Sequence, residues 1–347
     1  MATPAILNYL LTYRCSYRCV YCYANVDSLP TPVEMSLKRV KELIEEARAL
    51  GVINMFLTGG DPLLHPHVEK ILSLIIEAGI IPFVSTKQLL LDVQIGKLRD
   101  AGLERIQVSI DTLDAQIAKF LLGVKDYPGK MIKTINKLIS KGLKVATNSV
   151  VTPYNIKGIP TLVGTLCSLG VYYISVTPYS RSLYRHRDDL LLQMEDYKWL
   201  NEQISLLQER YPQVKIKFQD SSELCNPTKL SPRKREEMWN KRSICTVGRE
   251  GLTIWPDGKI GICEEMPYLP QYWMGDLMVS SLENVWDSPR MEELLIPPRD
   301  NFKGWPCYEC EDFEECHRGL GRCLRDALKI YGTIYAPPSP VSKGALD

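Results

Sequence analysis

The first 218 residues alternate short apolar runs with longer segments whose apolar residues recur at helical spacing. The apolar runs predict strands at 5–11, 53–57, 80–84, 105–110, 143–151, 171–176 and 214–218. The amphipathic segments predict helices at 37–50, 66–78, 91–101, 130–141, 156–169 and 195–210. A glycine that can end a helix in a left-handed conformation follows the first five of these helices, at Gly51, Gly79, Gly102, Gly142 and Gly170. This alternation predicts right-handed βαβ units and an α/β fold with a buried parallel sheet.

Polar residues lie late in, or directly after, each of the first six predicted strands. They lie at 12–23, 58–62, 85–87, 109–111, 148 and 177–179. Parallel sheets place their ligand sites at the carboxyl ends of their strands. We therefore expect these segments to form one site.

The first of these segments contains Cys15, Cys19 and Cys22 in the spacing C-x3-C-x2-C. Thiolates are soft ligands that suit iron–sulfur clusters. A 4Fe–4S cluster has four irons, so three thiolates leave one iron open to a substrate or cofactor. A structural zinc site with a fourth ligand from elsewhere is the alternative reading of this loop alone.

Composition and charge argue against several classes of protein, namely nucleic-acid-binding, membrane-bound and disulfide-rich proteins. The 347 residues can form one large domain or two moderate ones, and the net charge of +1 gives no electrostatic reason to expect binding to nucleic acid or to an anionic membrane. No apolar run is long enough to span a bilayer, and the N-terminus lacks the pattern of a signal peptide. We therefore expect a cytoplasmic protein. In that compartment, eleven cysteines indicate metal or redox chemistry rather than disulfides.

A second group of six cysteines lies in the last third of the chain. Cys245, Gly258 and Cys263 have the spacing C-x12-G-x4-C, and residues 256–258 predict a hairpin turn. Further on, Cys307, Cys310, Cys316 and Cys323 have the spacing C-x2-C-x5-C-x6-C. A zinc ribbon built from Cys245, Cys263, Cys307 and Cys310 is one reading, but it leaves the last two cysteines without a role.

The first cysteine loop, with Tyr21 directly before its last cysteine, resembles the cluster loop of the radical S-adenosylmethionine (SAM) enzymes. In that family the methionine end of SAM binds the open iron of a 4Fe–4S cluster. One electron from the cluster then cleaves SAM to methionine and a 5′-deoxyadenosyl radical. The family fold is an open barrel of six β/α units, so the resemblance implies a partial (β/α)6 barrel, which matches the six predicted strands up to residue 176.

The resemblance also suggests SAM contacts. Residues 59–62, Gly-Gly-Asp-Pro, resemble the Gly-Gly-Glu-Pro segment that receives the SAM amino group, and Ser109 and Asp111 resemble a polar pair near its ribose and carboxylate. The implied SAM-binding residues are Tyr21, Gly59, Gly60, Asp61, Thr86, Ser109, Asp111 and Asn148. Relatives often carry an Arg-Gly pair after the fourth strand, where this chain has Leu122-Gly123. Lys119 and Lys125 are therefore the candidate partners of the SAM carboxylate, and the catalytic residues stay unassigned.

The C-terminal cysteines resemble the SPASM extension of radical SAM proteins, which holds one or two auxiliary iron–sulfur clusters. By this resemblance one cluster would use Cys245, Cys263 and Cys323, and the other Cys307, Cys310 and Cys316. The chain departs from the family pattern in its C-x6-C step, and it lacks the expected last cysteine near 336–341. Either each cluster has a non-cysteine ligand or an open site, or all six cysteines serve one cluster and a looser metal site.

The resemblance covers nearly the whole chain and implies four segments: a radical SAM barrel at 1–218, a linker at 219–243, a SPASM domain at 244–335 and a proline-rich tail at 336–347. The implied enzyme abstracts hydrogen from a substrate C–H, most often in a ribosomally made precursor peptide. We expect a precursor peptide and a reductant such as flavodoxin or ferredoxin as partners, and neither nucleic acid nor membrane. The alternatives are an enzyme acting on a tetrapyrrole or another small cofactor precursor, and a zinc-ribbon binding protein without radical chemistry.

Overall fold

The computed structural model describes residues 3–24, 33–219, 248–320 and 322–337, together with Arg233 and Glu237. Six strands occupy the first six predicted positions: β1 (Ile6–Thr12), β2 (Asn54–Gly59), β3 (Ile81–Thr86), β4 (Arg105–Ser109), β5 (Lys144–Val151) and β6 (Tyr173–Pro178). The helices between them are α1 (Leu37–Ala49), α2 (Val68–Glu77), α3 (Asp92–Asp100), α4 (Ala115–Leu122), α5 (Tyr127–Ser140) and α6 (Ile159–Ser168). A last unit, α7 (Met194–Arg210) and β7 (Lys215–Phe218), follows β6.

The strands β1 to β7 pair in chain order, and every one of these pairs is parallel. Right-handed connections between consecutive parallel strands place the helices on one face of the sheet, which curves it towards a barrel. The sheet has an end at β7, so the barrel is open. The predicted partial (β/α)6 barrel is confirmed.

The five glycines predicted to end helices all have positive φ angles, from 78° at Gly79 to 92° at Gly102. The helix α4, between β4 and α5, was not predicted. It is only eight residues long, and its signal is Asp114, whose carboxylate accepts hydrogen bonds from the backbone N–H groups of Gln116 and Ile117 at 2.7 and 2.9 Å. An aspartate in this position satisfies N–H groups that have no partner within the helix.

The core of the barrel lies between the sheet and the ring of helices. Leu43 of α1, Ile71 and Ile75 of α2 and Leu162 of α6 are fully buried. Burial of each such side chain stabilises the fold by about 1.5–3 kcal/mol. The helices therefore hold the sheet from outside and leave its inner face free for the polar residues described below.

The C-terminal region extends the same sheet on the side of β1. Its strands are β8 (Gly251–Ile254), β9 (Lys259–Gly261) and β10 (Trp273–Asp276), and its helices are α8 (Leu282–Trp286), α9 (Pro289–Leu295) and α10 (Leu324–Tyr331). Strand β8 pairs in parallel with β1, and β8, β9 and β10 form an antiparallel meander. The predicted hairpin at 256–258 is confirmed as the turn between β8 and β9.

Side-chain bonds also fix the C-terminal region to the barrel. Arg39 of α1 donates hydrogen bonds to the backbone oxygens of Leu277 and Ser280, and Glu46 accepts one from the N–H of Leu282. These contacts hold the C-terminal region beside the mouth of the barrel. The predicted linker at 219–243 lies almost entirely outside the described residues, so the domain boundaries remain a prediction. Within the described ranges, no helix combines the length and apolar character that crossing a membrane requires.

Candidate active site

A cavity of about 350 Å³ opens at the carboxyl ends of β2 to β5. Alternate residues of three strands face it: Phe56 and Thr58 of β2, Gln107 and Ser109 of β4, and Asn148 and Val150 of β5. Seven of the eight residues predicted to bind SAM line this cavity, namely Tyr21, Gly59, Gly60, Asp61, Thr86, Ser109 and Asn148. The thiols of Cys15, Cys19 and Cys22 line it as well. The fold therefore brings five of the six predicted polar segments together, whereas residues 177–179, at the end of β6, do not line the cavity.

Hydrogen bonds to backbone groups anchor the cysteine loop. The N–H of Val20 donates to the oxygen of Leu121 at 3.0 Å, which ties the loop to the end of α4. Arg185 donates to the oxygen of Cys19 at 3.2 Å, and the N–H of Cys22 donates to the same oxygen at 3.2 Å. The loop is thus fixed from two sides, and its thiols keep their place at the cavity.

The three thiols of the cysteine loop are better suited to bind a metal cluster than to ionise without a metal. Burial raises the pKa of Cys19 to about 12 and also raises the pKa of Cys15. A thiol in such surroundings becomes a thiolate when a metal supplies positive charge. Three soft sulfur donors beside one open cavity fit a cluster with one iron left for another ligand. In the described part of the chain, no three His, Cys, Asp or Glu side chains form a compact site for a single metal ion.

Gly59 and Gly60 allow the backbone of the cysteine loop to cross the end of β2. A Cβ atom on Gly59 would lie 2.3 Å from the oxygen of Thr12, and one on Gly60 would lie 2.3 Å from the oxygen of Arg14. The N–H of Gly60 donates to Thr12 and the N–H of Asp61 to Arg14, both at 2.7 Å. Only glycine fits such a close approach. The pair therefore shapes the cluster loop as well as the cavity wall.

The carboxylate of Asp61 is occupied by bonds within the protein. It accepts hydrogen bonds from the hydroxyl of Thr86 at 2.8 Å, from the N–H of Lys87 at 2.8 Å and from the N–H of Leu63 at 3.2 Å. Burial raises its pKa, and these hydrogen bonds act in the opposite direction. Its evident structural role is to join the end of β2 to the end of β3.

Asp111 is the predicted SAM residue that does not line the cavity. Its buried carboxylate accepts hydrogen bonds from Nζ of Lys87 at 3.0 Å, from the N–H of Val150 at 2.9 Å and from the hydroxyl of Tyr21. Lys87, which the sequence analysis did not single out, does line the cavity, whereas Lys119 and Lys125 do not. The signal for Lys87 was its place directly after Ser85 and Thr86, at the end of β3.

Glu264 lines the same cavity from the C-terminal region, and nothing in the sequence marked it as a site residue. Its carboxylate is hydrogen-bonded to the hydroxyl of Tyr23 and lies 3.5 Å from the hydroxyl of Thr58. Burial, with the neighbouring charge of Glu265 next in effect, raises the pKa of Glu264 to about 7. No sequence motif indicated this residue, because it reaches the cavity through the pairing of β8 with β1.

The C-terminal cysteines of the described residues lie near one another and near two arginines. Burial has the largest effect on the pKa of Cys307 and raises it, and the charges of Cys316 and Cys310 raise it further. These three cysteines therefore lie near one another. Cys263 and Cys323 both lie near Arg325. Arg322 lies near Cys323 as well as near Cys307 and Cys316, so the division into two ligand sets stays a prediction. Cys245, the predicted third member of the second set, lies outside the described residues.

Arg322 lies among these cysteines. It is only 5% exposed, and its charge acts on Cys307, Cys316 and Cys323. Its guanidinium donates to the backbone oxygens of Ile334 and Leu294, and it forms no ion pair with a carboxylate of the described residues. A buried cation without a carboxylate partner favours anionic surroundings, which thiolates bound to a metal cluster would provide.

Comparison with protein families agrees with both cysteine sites. Residues 9–166 match the model of the radical SAM superfamily, and residues 245–316 match the model of SPASM, described as an iron–sulfur cluster-binding domain. The chain is a radical SAM enzyme with a SPASM domain. Its cofactors are accordingly SAM and iron–sulfur clusters, including a 4Fe–4S cluster. The alternative interpretation, a zinc-ribbon binding protein without radical chemistry, is wrong.

Curated relatives match either the whole chain or half of it. A PqqA peptide cyclase of Methylobacterium nodulans is 23% identical over 332 residues, which covers 94% of this chain and 83% of the relative. A probable GTP 3′,8-cyclase of Methanopyrus kandleri is 33% identical over 160 residues, 46% of this chain and 52% of the relative.

Among solved structures, Streptococcus suis SuiB bound to S-adenosylmethionine has a TM-score of 0.75 at 20% identity, covering 98% of this chain and 77% of that one. SuiB has also been solved bound to a precursor peptide, SuiA, and this structure matches with the same TM-score at 19% identity, covering 98% and 76%. At this level of identity the match establishes the shared fold.

Proposed function

We propose that this enzyme abstracts a hydrogen atom from a C–H group of a ribosomally made precursor peptide and thereby modifies the peptide. The observation that carries this proposal is the extent of the match to PqqA peptide cyclase, which runs through 94% of the chain and so includes both cysteine regions. SuiB, whose fold matches 98% of the chain, binds a precursor peptide. Bound SAM and its cluster would supply the hydrogen-abstracting radical, and the barrel would position the reactants and exclude water.

The residues that line the cavity suggest how SAM is held. Cys15, Cys19 and Cys22 would ligate the first cluster and leave its open iron facing the cavity. Ser109 and Asn148 project polar groups into the cavity from β4 and β5. These two side chains are candidates for hydrogen bonds to SAM.

Lys87 is our candidate for the partner of the SAM carboxylate, in place of Lys119 or Lys125. An ammonium has three donors, and the salt bridge to Asp111 uses one of them. Asp111 would then act through Lys87, by keeping it charged and oriented. Tyr21 would hold Asp111 from the other side through its hydroxyl.

The C-terminal cysteines would hold the auxiliary clusters. Cys307, Cys310 and Cys316 would serve one cluster, and Cys263 and Cys323 would serve another together with Cys245. These clusters would accept an electron from the substrate radical or hold the peptide near the barrel. A reductant such as flavodoxin or ferredoxin would supply the electron for the first cluster.

We infer a cytoplasmic location from the same chemistry. All nine cysteines among the described residues are free thiols. Thiolate clusters require a compartment in which thiols stay reduced. We therefore place the enzyme in the cytoplasm.

The second candidate function is the modification of a small-molecule substrate. The relative that favours it is the probable GTP 3′,8-cyclase, whose name indicates a nucleotide substrate. That match covers less than half of the chain. The peptide proposal therefore takes precedence.

The deciding experiment is to incubate the anaerobically reconstituted enzyme with SAM, a reductant and short peptides encoded beside its gene. We expect one peptide to change in mass, as measured by mass spectrometry, in step with the formation of 5′-deoxyadenosine. A variant with Cys15, Cys19 and Cys22 replaced by Ala is the matched control and should give neither product. If no peptide changes while GTP or a tetrapyrrole is consumed, the peptide proposal is wrong and the small-molecule alternative stands.

A further inference from the structure

The wall of the SAM cavity includes one carboxyl that comes from outside the barrel. Glu264 follows strand β9 in the C-terminal region, and it reaches the cavity because β8 pairs with β1. On the barrel side it meets the hydroxyls of Tyr23 and Thr58. Both neighbours also line the cavity, so the carboxyl of Glu264 lies at its edge rather than behind its wall.

The other carboxylates around the cavity already have their partners. Asp61 accepts hydrogen bonds from Thr86, Lys87 and Leu63, and Asp111 forms a salt bridge with Lys87. Glu264 differs from both, because among the described residues it has neither an ion pair with a cationic side chain, as Asp111 has, nor a hydrogen bond from a backbone N–H, as Asp61 has. Its neighbour Glu265 binds two cations, Arg325 and Lys329, at 2.5 and 2.7 Å.

SAM brings a positive charge that needs a partner in this cavity. Its sulfonium carries a permanent charge, which S-adenosylhomocysteine lacks. A charge removed from water is costly unless an opposite charge compensates it. An unpaired carboxylate at the edge of the cavity and a cationic cofactor are therefore complementary.

We propose that Glu264 is a SAM-binding residue, supplied to the barrel by the C-terminal region, whose carboxylate balances the sulfonium charge of SAM. Asp61 does not fill this role, since its carboxylate is turned towards the end of β3. The C-terminal region would then complete the cofactor site as well as carry auxiliary clusters. This inference depends on SAM binding in the cavity and not on the peptide substrate.

The test compares SAM with S-adenosylhomocysteine on the reconstituted enzyme, by anaerobic calorimetry with the cluster oxidised so that SAM is not cleaved. Glu264→Gln keeps the shape of the side chain and removes its charge. We expect about a tenfold loss of SAM affinity, as for other hydrogen-bonded charges, and less than a twofold change for S-adenosylhomocysteine. Equal losses for both ligands, or no loss for SAM, would overturn the proposal.

Two further variants serve as controls for this test. Glu265→Gln is the matched control, because it removes the adjacent charge, which pairs with Arg325 and Lys329 and does not line the cavity. The ratio of its affinities for SAM and S-adenosylhomocysteine should match that of the wild type. Glu264→Asp keeps the charge and shortens its reach, so its preference should lie between those of the wild type and Glu264→Gln. If Glu264→Gln does not incorporate iron, Glu264→Asp decides alone, and an unchanged ratio of the two affinities rejects the inference.

Discussion

The two cysteine regions of this enzyme are built in different ways. Cys15, Cys19 and Cys22 lie within eight residues of one loop, which is fixed by a backbone bond to Leu121 and by a hydrogen bond from the side chain of Arg185. The C-terminal cysteines of the described residues come from the end of a hairpin, from residues 307–316, which lead into a helical turn at Glu315–Leu320, and from the start of α10. A local loop can encode a complete ligand set in its spacing, whereas the C-terminal sites require distant segments to pack correctly.

The two regions nevertheless share an electrostatic feature. Lys87 lies near Cys19 in the first site, and Arg322 lies near Cys307, Cys316 and Cys323 in the second. Both cations are at least partly buried. A cation beside thiolates lowers the cost of collecting several negative charges in one place. We infer that both sites are built for anionic sulfur ligands.

The largest expected effect separates the two regions by their metal content. Replacing Cys15, Cys19 and Cys22 together by Ala should abolish reductive cleavage of SAM, because the first cluster loses all its protein ligands. The same variant should still bind iron and sulfide at the C-terminal site after anaerobic reconstitution. The amount of 5′-deoxyadenosine formed measures the first outcome, and elemental analysis with EPR or Mössbauer spectra measures the second.

Adding Cys307→Ala and Cys310→Ala to that variant provides the control, and should lower the remaining iron and sulfide. A colourless triple variant that holds stoichiometric zinc would contradict the assignment of auxiliary clusters. 5′-Deoxyadenosine formed at the wild-type rate would contradict the role of the first loop.

A smaller effect tests how closely the first loop is packed. Gly60→Ala would place a methyl group 2.3 Å from the oxygen of Arg14, so the loop must move. We expect a loss of about 1–3 kcal/mol in the free energy of unfolding, together with reduced iron in the first cluster. Denaturant unfolding and iron analysis would measure these changes.

Gly96→Ala in α3 is the matched control, because a Cβ there meets no atom within 4 Å. This substitution should stabilise the protein by about 0.5–1 kcal/mol, since alanine favours a helix more than glycine does. Equal stability of the two variants would mean that the close approach at Gly60 is not required.

The smallest expected effect distinguishes binding from support within the cavity. Ser109→Ala should weaken SAM binding by about two- to tenfold, the worth of one neutral hydrogen bond, without changing thermal stability. Asp61→Asn should instead lower the melting temperature, because Asp61 bonds to Thr86, Lys87 and Leu63. Calorimetric titration with SAM and thermal unfolding of both variants would measure the difference. A reversed pattern would exchange the roles that we assign to these two residues.

The sequence predicted the barrel because each element carries its own local signal. Apolar runs marked the six strands, and glycines such as Gly79 and Gly102 marked the helix ends with positive φ angles. The spacing of Cys15, Cys19 and Cys22 indicated a cluster loop for the same reason, since all three ligands lie in one short segment. The short helix α4 was missed, because its eight residues give little periodicity.

Only the tertiary structure decided which of the polar residues face the cavity. Asp61 and Asp111 carry similar signals in the sequence, yet the fold commits both carboxylates to internal bonds and brings Lys87 and Glu264 to the cavity wall. Glu264 is about two hundred positions from Thr58 along the chain, and the pairing of β8 with β1 makes them neighbours. Sequence spacing records contacts along one strand or helix, whereas a contact across the sheet depends on which strands pair.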